Sequence, residues 1–130
     1  MLADFDNLRK RLTSEVERAR SQERAAVAAA FLPVLDNLEL ALSHAGADPS
    51  RVQEGIEAVR DQAVAILATL GYVRFDPLAE QFDPVRHEAV STAPGSSADP
   101  GTIVHVVHPG YGDGEHQLRP AAVVVATKEI

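Results

Sequence analysis

Apolar residues in the first third of the chain recur at Met1, Phe5, Leu8, Leu12, Val16, Ala19, Val27, Ala30, Val34, Leu38 and Leu42, mostly three or four apart, with Glu23 interrupting. This spacing puts them on one stripe of a helix running from Met1 to about Leu42. Steps of four, three and four lie nearer an eleven-residue than a seven-residue period, so the seam should stay almost straight or twist slightly right-handed, unlike a leucine zipper. No glycine occurs before Gly46, and Pro33 allows a kink without requiring an end. Such a helix extends about 60 Å and cannot hide its own stripe. The pattern therefore predicts a homodimer whose copies bury Leu8, Leu12, Val16, Ala19, Val34, Leu38 and Leu42 against each other. Ala25 to Ala30 is nearly all alanine, which favours helix but buries little area, so this part of the seam should melt first. The chain begins inside a helical pattern, which predicts that the natural helix starts earlier.

The first helix should end at Ala45-Gly46-Ala47, with Gly46 near its C-terminal cap. Asp48-Pro49 supplies an N-cap followed by proline in the first turn, and a second helix should run from there to Leu70, capped by Gly71. Val52, Ile56, Val59, Ala63, Ile66 and Leu70 form its stripe, widened by Val64 and Leu67. Two wide stripes in succession predict an antiparallel hairpin, and two hairpins a dimeric four-helix bundle with Val52, Ile56, Val59 and Ile66 at the dimer interface. Gly55 inside this helix costs about 1 kcal/mol relative to alanine and suggests the close approach of another backbone or of a partner.

From Tyr72 the helical period stops and prolines and glycines punctuate short β-branched runs. Candidate strands are Tyr72–Phe75, His87–Thr92, Thr102–Val107, His116–Arg119 and Ala121–Ala126. The loops between them include Phe82-Asp83-Pro84, Pro94 to Gly101, and Pro109 to Gly114, whose Asp113-Gly114 favours a hairpin. The predicted fold class is α+β. Residues 1–71 form the long helix and bundle helix for dimerisation, and residues 72–130 a small all-β wing that gains stability by docking.

A net charge of −7 and a pI near 5.1 oppose nucleic acid or an anionic membrane as the main partner. The chain has no cysteine, which excludes disulfides and thiolate chemistry and fits a reducing compartment. It has no unbroken run of about 18 apolar residues and no signal-peptide core, so the expected location is cytoplasmic. His105, His108 and His116 match no metal-ligand spacing, and residues 105 and 108 of one strand should point to opposite faces. Gly110 to Gly114 opens no helix and lacks a Lys-Ser/Thr pair, so it reads as a hairpin rather than a nucleotide loop. No Gly-x-Ser-x-Gly elbow or carboxylate pair is evident. Neither an enzyme nor a cofactor is expected. The residues alone describe an acidic, dimeric interaction protein.

Phe82-Asp83-Pro84-Val85-Arg86-His87-Glu88-Ala89-Val90, then Gly110-Tyr111 and Leu118-Arg119-Pro120-Ala121-Ala122-Val123-Val124-Val125, resemble the GrpE family of nucleotide exchange factors for the bacterial Hsp70 chaperone DnaK. Asn7-Leu8-Arg9-Lys10-Arg11, Leu32-Pro33-Val34-Leu35-Asp36-Asn37-Leu38 and Gly55-Ile56 resemble further family stretches, so the likeness covers essentially the whole chain. It implies a parallel dimer of long helices, a four-helix bundle and a β-wing that wedges open the nucleotide cleft of the DnaK ATPase domain and releases ADP, with no nucleotide bound to the factor itself. It further implies DnaK contacts at Phe82, Pro84, Val107 and Val125 of the wing, at Arg9 and Arg18 of the first helix, and at Gly55, where a larger side chain would block docking. For Phe82, Pro84, Val107 and Val125 a plain β-core role is the alternative, and His87 and Tyr111 match motif positions read as structural. Leu40 and Ser43 depart from charged residues of the family pattern. The long helices would also serve as a thermosensor. A coiled-coil adaptor or holdase without exchange activity is the alternative, and a metal-dependent hydrolase a third.

Overall fold

The structure is a computed structural model, and it describes residues 1–46 and 48–128. The chain divides into two compact units, Met1–Ala63 and Val64–Ile130.

In the first unit, helix α1 spans Leu2–Ser43, 42 residues with Pro33 inside it. Proline lacks the N–H but neither it nor its neighbours stop the helix, as expected of a position that allows a kink without requiring an end. Its end differs from expectation: the C-cap is His44, whose N–H reaches the carbonyls of Ala41 and Leu42, and Gly46 lies beyond it without a left-handed φ. The rest of the expected end falls on Ala47, outside the described residues. Phe5, Leu8, Leu12, Val16, Leu38 and Leu42 all remain exposed on the single chain. Although no unbroken apolar run occurs, α1 contains an 18-residue window long and apolar enough by composition to cross a membrane. Asp36, Asn37 and Glu39 interrupt the apolar residues of the second half of α1.

Helix α2 covers Pro49–Thr69 and crosses the division between the units. Asp48 caps it, with Oδ1 accepting the Ser50 N–H at 3.0 Å. At the other end Gly71 sits at φ +98, and the N–H of Tyr72 donates to the Leu67 carbonyl at 2.8 Å while that of Gly71 donates to Ala68 at 3.0 Å. These are the bonds of a Schellman turn, which needs a residue free to adopt the left-handed region. Within the first unit the helices run antiparallel. Asn37 Nδ2 donates to Gln62 Oε1 at 2.6 Å, and one turn further along α1, Ala41 meets Gly55 of α2.

The second unit contains β1 (Arg74–Phe75), β2 (His87–Pro94), β3 (Ile103–His108), β4 (Gly110–Tyr111) and β5 (Ala121–Thr127). β1 and β4 pair antiparallel, and a separate sheet has the order β2-β5-β3, with β2 parallel and β3 antiparallel to β5. The last strand in sequence is thus the central one. Flanked on both sides, it buries Ala121, Val123, Val125 and Ala126, and Ile103 of β3 completes a core against which Phe75, Phe82 and Val106 pack. Val90 has no partner in the β2–β5 register, which slips there as a bulge.

One expected strand is absent. His116–Arg119 is replaced by a short 3-10 helix at Gly114–His116, and only Arg119 pairs, in an isolated bridge to Tyr111. Gly112 and Gly114 both take positive φ, and a Cβ on Gly112 would strike the His116 carbonyl. The chain does reverse at Asp113-Gly114, but by a longer looped-out turn than a two-residue hairpin. The strand expected at Tyr72–Phe75 is shortened to Arg74–Phe75.

Candidate partner-docking surfaces

The turn between Phe82 and His87 is tied down at several points. Asp83 is its centre: its carbonyl accepts the N–H groups of Arg86 at 3.1 Å and His87 at 2.8 Å, and its Oδ1 accepts the Val85 N–H at 3.0 Å. The Asp83 N–H in turn donates to Nδ1 of His87 at 2.9 Å. At its ends, Phe82 N–H donates to the Gly101 carbonyl at 2.9 Å, and the Arg86 carbonyl accepts from Ala121 of β5 at 3.1 Å. So held, the turn leaves Pro84 and Val85 projecting, Val85 at 73% exposure, while Phe82 is half-buried against the core.

His87 lies behind the turn, 3% exposed, its ring centroid 6.4 Å from that of Phe75 and 6.0 Å from that of Phe82. With Nδ1 accepting, the neutral imidazole carries its proton on Nε2, and that buried atom has no hydrogen-bond partner. Burial pushes its pKa below the ordinary 6.5, the Arg86 guanidinium pushes the same way, and the Asp83 and Glu80 carboxylates oppose them. Arg86 itself stacks over Phe75, its guanidinium carbon 4.7 Å from the ring centroid.

The other wing residues separate sharply. Val107, on strand β3, is 43% exposed, whereas Val125 is 8% exposed and belongs to the core. A side chain so buried can act on a partner only through the shape of the strand it supports. Tyr111 is half-buried beneath the Arg119 guanidinium at 5.3 Å, and Arg119 Nε donates to the Pro109 carbonyl at 3.0 Å. His105 and His108 are both exposed, and among the described residues no three His, Cys, Asp or Glu side chains are grouped to hold a metal.

In the first unit Arg9 and Arg18 are exposed, and among the described residues neither makes an ion pair. Gly55 is partly buried: a Cβ there would lie 2.7 Å from the Ala41 Cβ, closer than real contacts allow. The close approach expected at Gly55 is therefore made by α1 of the same chain. Leu40 is exposed, and Ser43 Oγ donates back to the Leu40 carbonyl at 2.6 Å, so neither supplies a charge there. Ala19 and Ile56 are exposed, while Val34, Val52, Val59 and Ile66 are partly buried.

The feature missed in the sequence is the role of His87. Its signal was present as Asp83-Pro84-x-x-His87, a spacing that lets a histidine fold back on the amide opening its own turn.

The GrpE family model matches residues 1–127. "Protein GrpE 2" of Streptomyces avermitilis is 62% identical over 128 residues, covering 98% of this chain and 63% of that relative. "Protein GrpE" of Thermus thermophilus is 43% identical over 130 residues, covering 99% and 71%. "Protein GrpE" of Stenotrophomonas maltophilia is 40% identical over 124 residues, covering 95% and 72%. The chain thus spans less than two thirds of the Streptomyces relative's length. With a match running from the first residue of α1 to the end of β5, through the tied turn and the glycine at the helix crossing, the chain belongs to the GrpE family.

Proposed function

We propose that this chain is a nucleotide exchange factor, a co-chaperone that binds the ATPase domain of DnaK, opens its cleft and accelerates ADP release. The observation that carries this reading is the family match over residues 1–127, which takes in an exposed, hydrogen-bonded turn at Phe82–Arg86. In this reading residues 1–71 dimerise and residues 72–130 form the contacting wing. Pro84, Val107 and the outer face of Phe82 touch DnaK, Arg9 and Arg18 add contacts along α1, and Val125 shapes the sheet from within. The protein works in the cytoplasm, where DnaK is found.

The mechanism is differential binding. ADP favours the closed ATPase domain and the factor favours the open one, so each weakens the other by the same factor. Driving a closed-to-open equilibrium from 1:99 to 99:1 takes about 5.5 kcal/mol of preference, which a broad surface supplies without a catalytic residue. A pre-held turn helps because its ordering cost is met in folding rather than in docking. Stopped-flow release of a fluorescent ADP analogue from DnaK tests this directly. Release should accelerate with the concentration of this protein, and unchanged release would reject exchange in favour of an adaptor or holdase.

The exposed α1 stripe supports the dimer, two copies covering Leu8, Leu12, Val16 and Leu42. The alanine run at Ala25–Ala30 supports heat sensing, because a seam that buries little per residue opens before the rest. A circular-dichroism melt should then show an early, reversible loss of helix before the main transition. A single transition would count against the thermosensor.

A further inference from the structure

We propose that His87 is a positioning residue for the docking turn: its neutral imidazole holds the Asp83 N–H, and a proton arriving on Nδ1 releases Phe82–Arg86, making docking acid-sensitive. This rests on the exchange reading for its consequence, but the latch itself is a property of this chain.

The geometry leaves the imidazole one useful state. Nδ1 is an acceptor for the Asp83 N–H at 2.9 Å, and Nε2–H is sealed from water without a partner. A proton taken from solvent occupies the Nδ1 lone pair, so two N–H groups then face one another and the bond is lost. The imidazolium would have two donors and no acceptor among aromatic neighbours, an arrangement a buried cation cannot keep. The charged groups that bear on it are Arg86 and Asp83 of the same turn and Glu80 just before it. Strand β1 contributes Phe75, and β5 contributes Ala121, paired opposite His87; neither titrates. Asp83 Oδ1 already accepts from Val85 and its carbonyl from Arg86 and His87, which ties this carboxylate to the Val85 amide. Relief comes by the ring swinging out from between Phe75 and Phe82, which frees the turn.

The direction in pH follows. The folded pKa of His87 lies below the ordinary 6.5, so the latch is fully set above that value. It is lost as pH falls from there through the folded pKa. Below the folded pKa docking should weaken by up to about tenfold per pH unit, because the docked form excludes the proton that the free chain then carries.

The test uses the full chain and two readouts. Amide and imidazole resonances are followed by NMR from about pH 7.5 to about pH 5. The Asp83 and Val85 amides should move with the midpoint of the His87 ring, while those of Val123 and Ala126 in β5 hold. A silent Asp83 amide, or loss of β5 together with the turn, would overturn the latch. In parallel, ADP release from DnaK is measured with the wild type and with His87→Asn, whose amide oxygen can stand near Nδ1 and accept from Asp83 without titrating. Stimulation by the wild type should fall on acidification while His87→Asn stays flat relative to it; identical profiles would overturn the proposal. Absence of exchange even near neutral pH would remove the exchange reading alone, with NMR still deciding the latch. Wild-type resonances also decide it should His87→Asn fail to fold.

Discussion

Replacing both Phe82 and Pro84 by alanine is expected to remove most of the acceleration of ADP release while leaving the dimer intact. Pro84 projects from a turn whose backbone is fixed by Asp83 and His87, and it presents a rigid apolar surface at little entropic cost. Phe82 has one side on the Ile103–Val123 core and one side free. Interface anchors of this kind commonly carry about 2 kcal/mol or more each, so each replacement alone should weaken docking by roughly 30-fold and the double variant by up to roughly 1,000-fold. Removing the Phe82 ring also thins the core, at a cost of about 1–3 kcal/mol for a side chain only half-buried. The variant should therefore melt earlier but still fold. Stopped-flow exchange with sedimentation separates the outcomes: undiminished exchange would exclude the turn from docking, and a dissociated dimer would reassign both residues to structure.

Gly55 offers the second large effect. A leucine at this position should break the α1–α2 contact, because the new Cβ alone would come within 2.7 Å of the Ala41 Cβ. Overpacking of this sort costs about 1–3 kcal/mol, and helix propensity recovers about 1 kcal/mol of it. Two causes would then look alike in an exchange assay, a blocked docking face and a splayed hairpin. Exchanging the two small residues tells them apart. Gly55→Ala paired with Ala41→Gly restores one Cβ between the helices, so helicity and melting temperature should return close to wild type. If exchange returns with them, Gly55 acts through the hairpin; if exchange stays low in the restored fold, the face of α2 at Gly55 is itself a docking surface.

Local signals were the legible ones. Three-and-four spacing gave α1 and α2, Asp48-Pro49 gave the second start, and Gly71 gave a true left-handed cap, since each feature depends on residues within one turn. Gly46 misled because His44 could close α1 in an ordinary helical conformation, so no glycine was needed. In the β-rich unit, β-branched runs located β2, β3 and β5 to within two residues. His116–Arg119 failed as a strand because Gly112 and Gly114 coil the preceding segment inward, and Gln117 N–H then closes a helical turn on the Gly114 carbonyl.

The amino-acid order by itself established a long helix with an apolar stripe, a capped companion helix, and a motif set that names the family. Periodicity and capping are short-range, so they survive without knowledge of what lies opposite. Only the tertiary structure placed the last strand at the centre of the sheet, and with it decided that Val125 is core while Val107 is exposed. It likewise set Gly55 on Ala41 and left His87 sealed behind its turn with one nitrogen unpaired. Burial and hydrogen-bond supply depend on neighbours brought from far along the chain, and two valines in similar β-branched runs differ in nothing until those neighbours arrive.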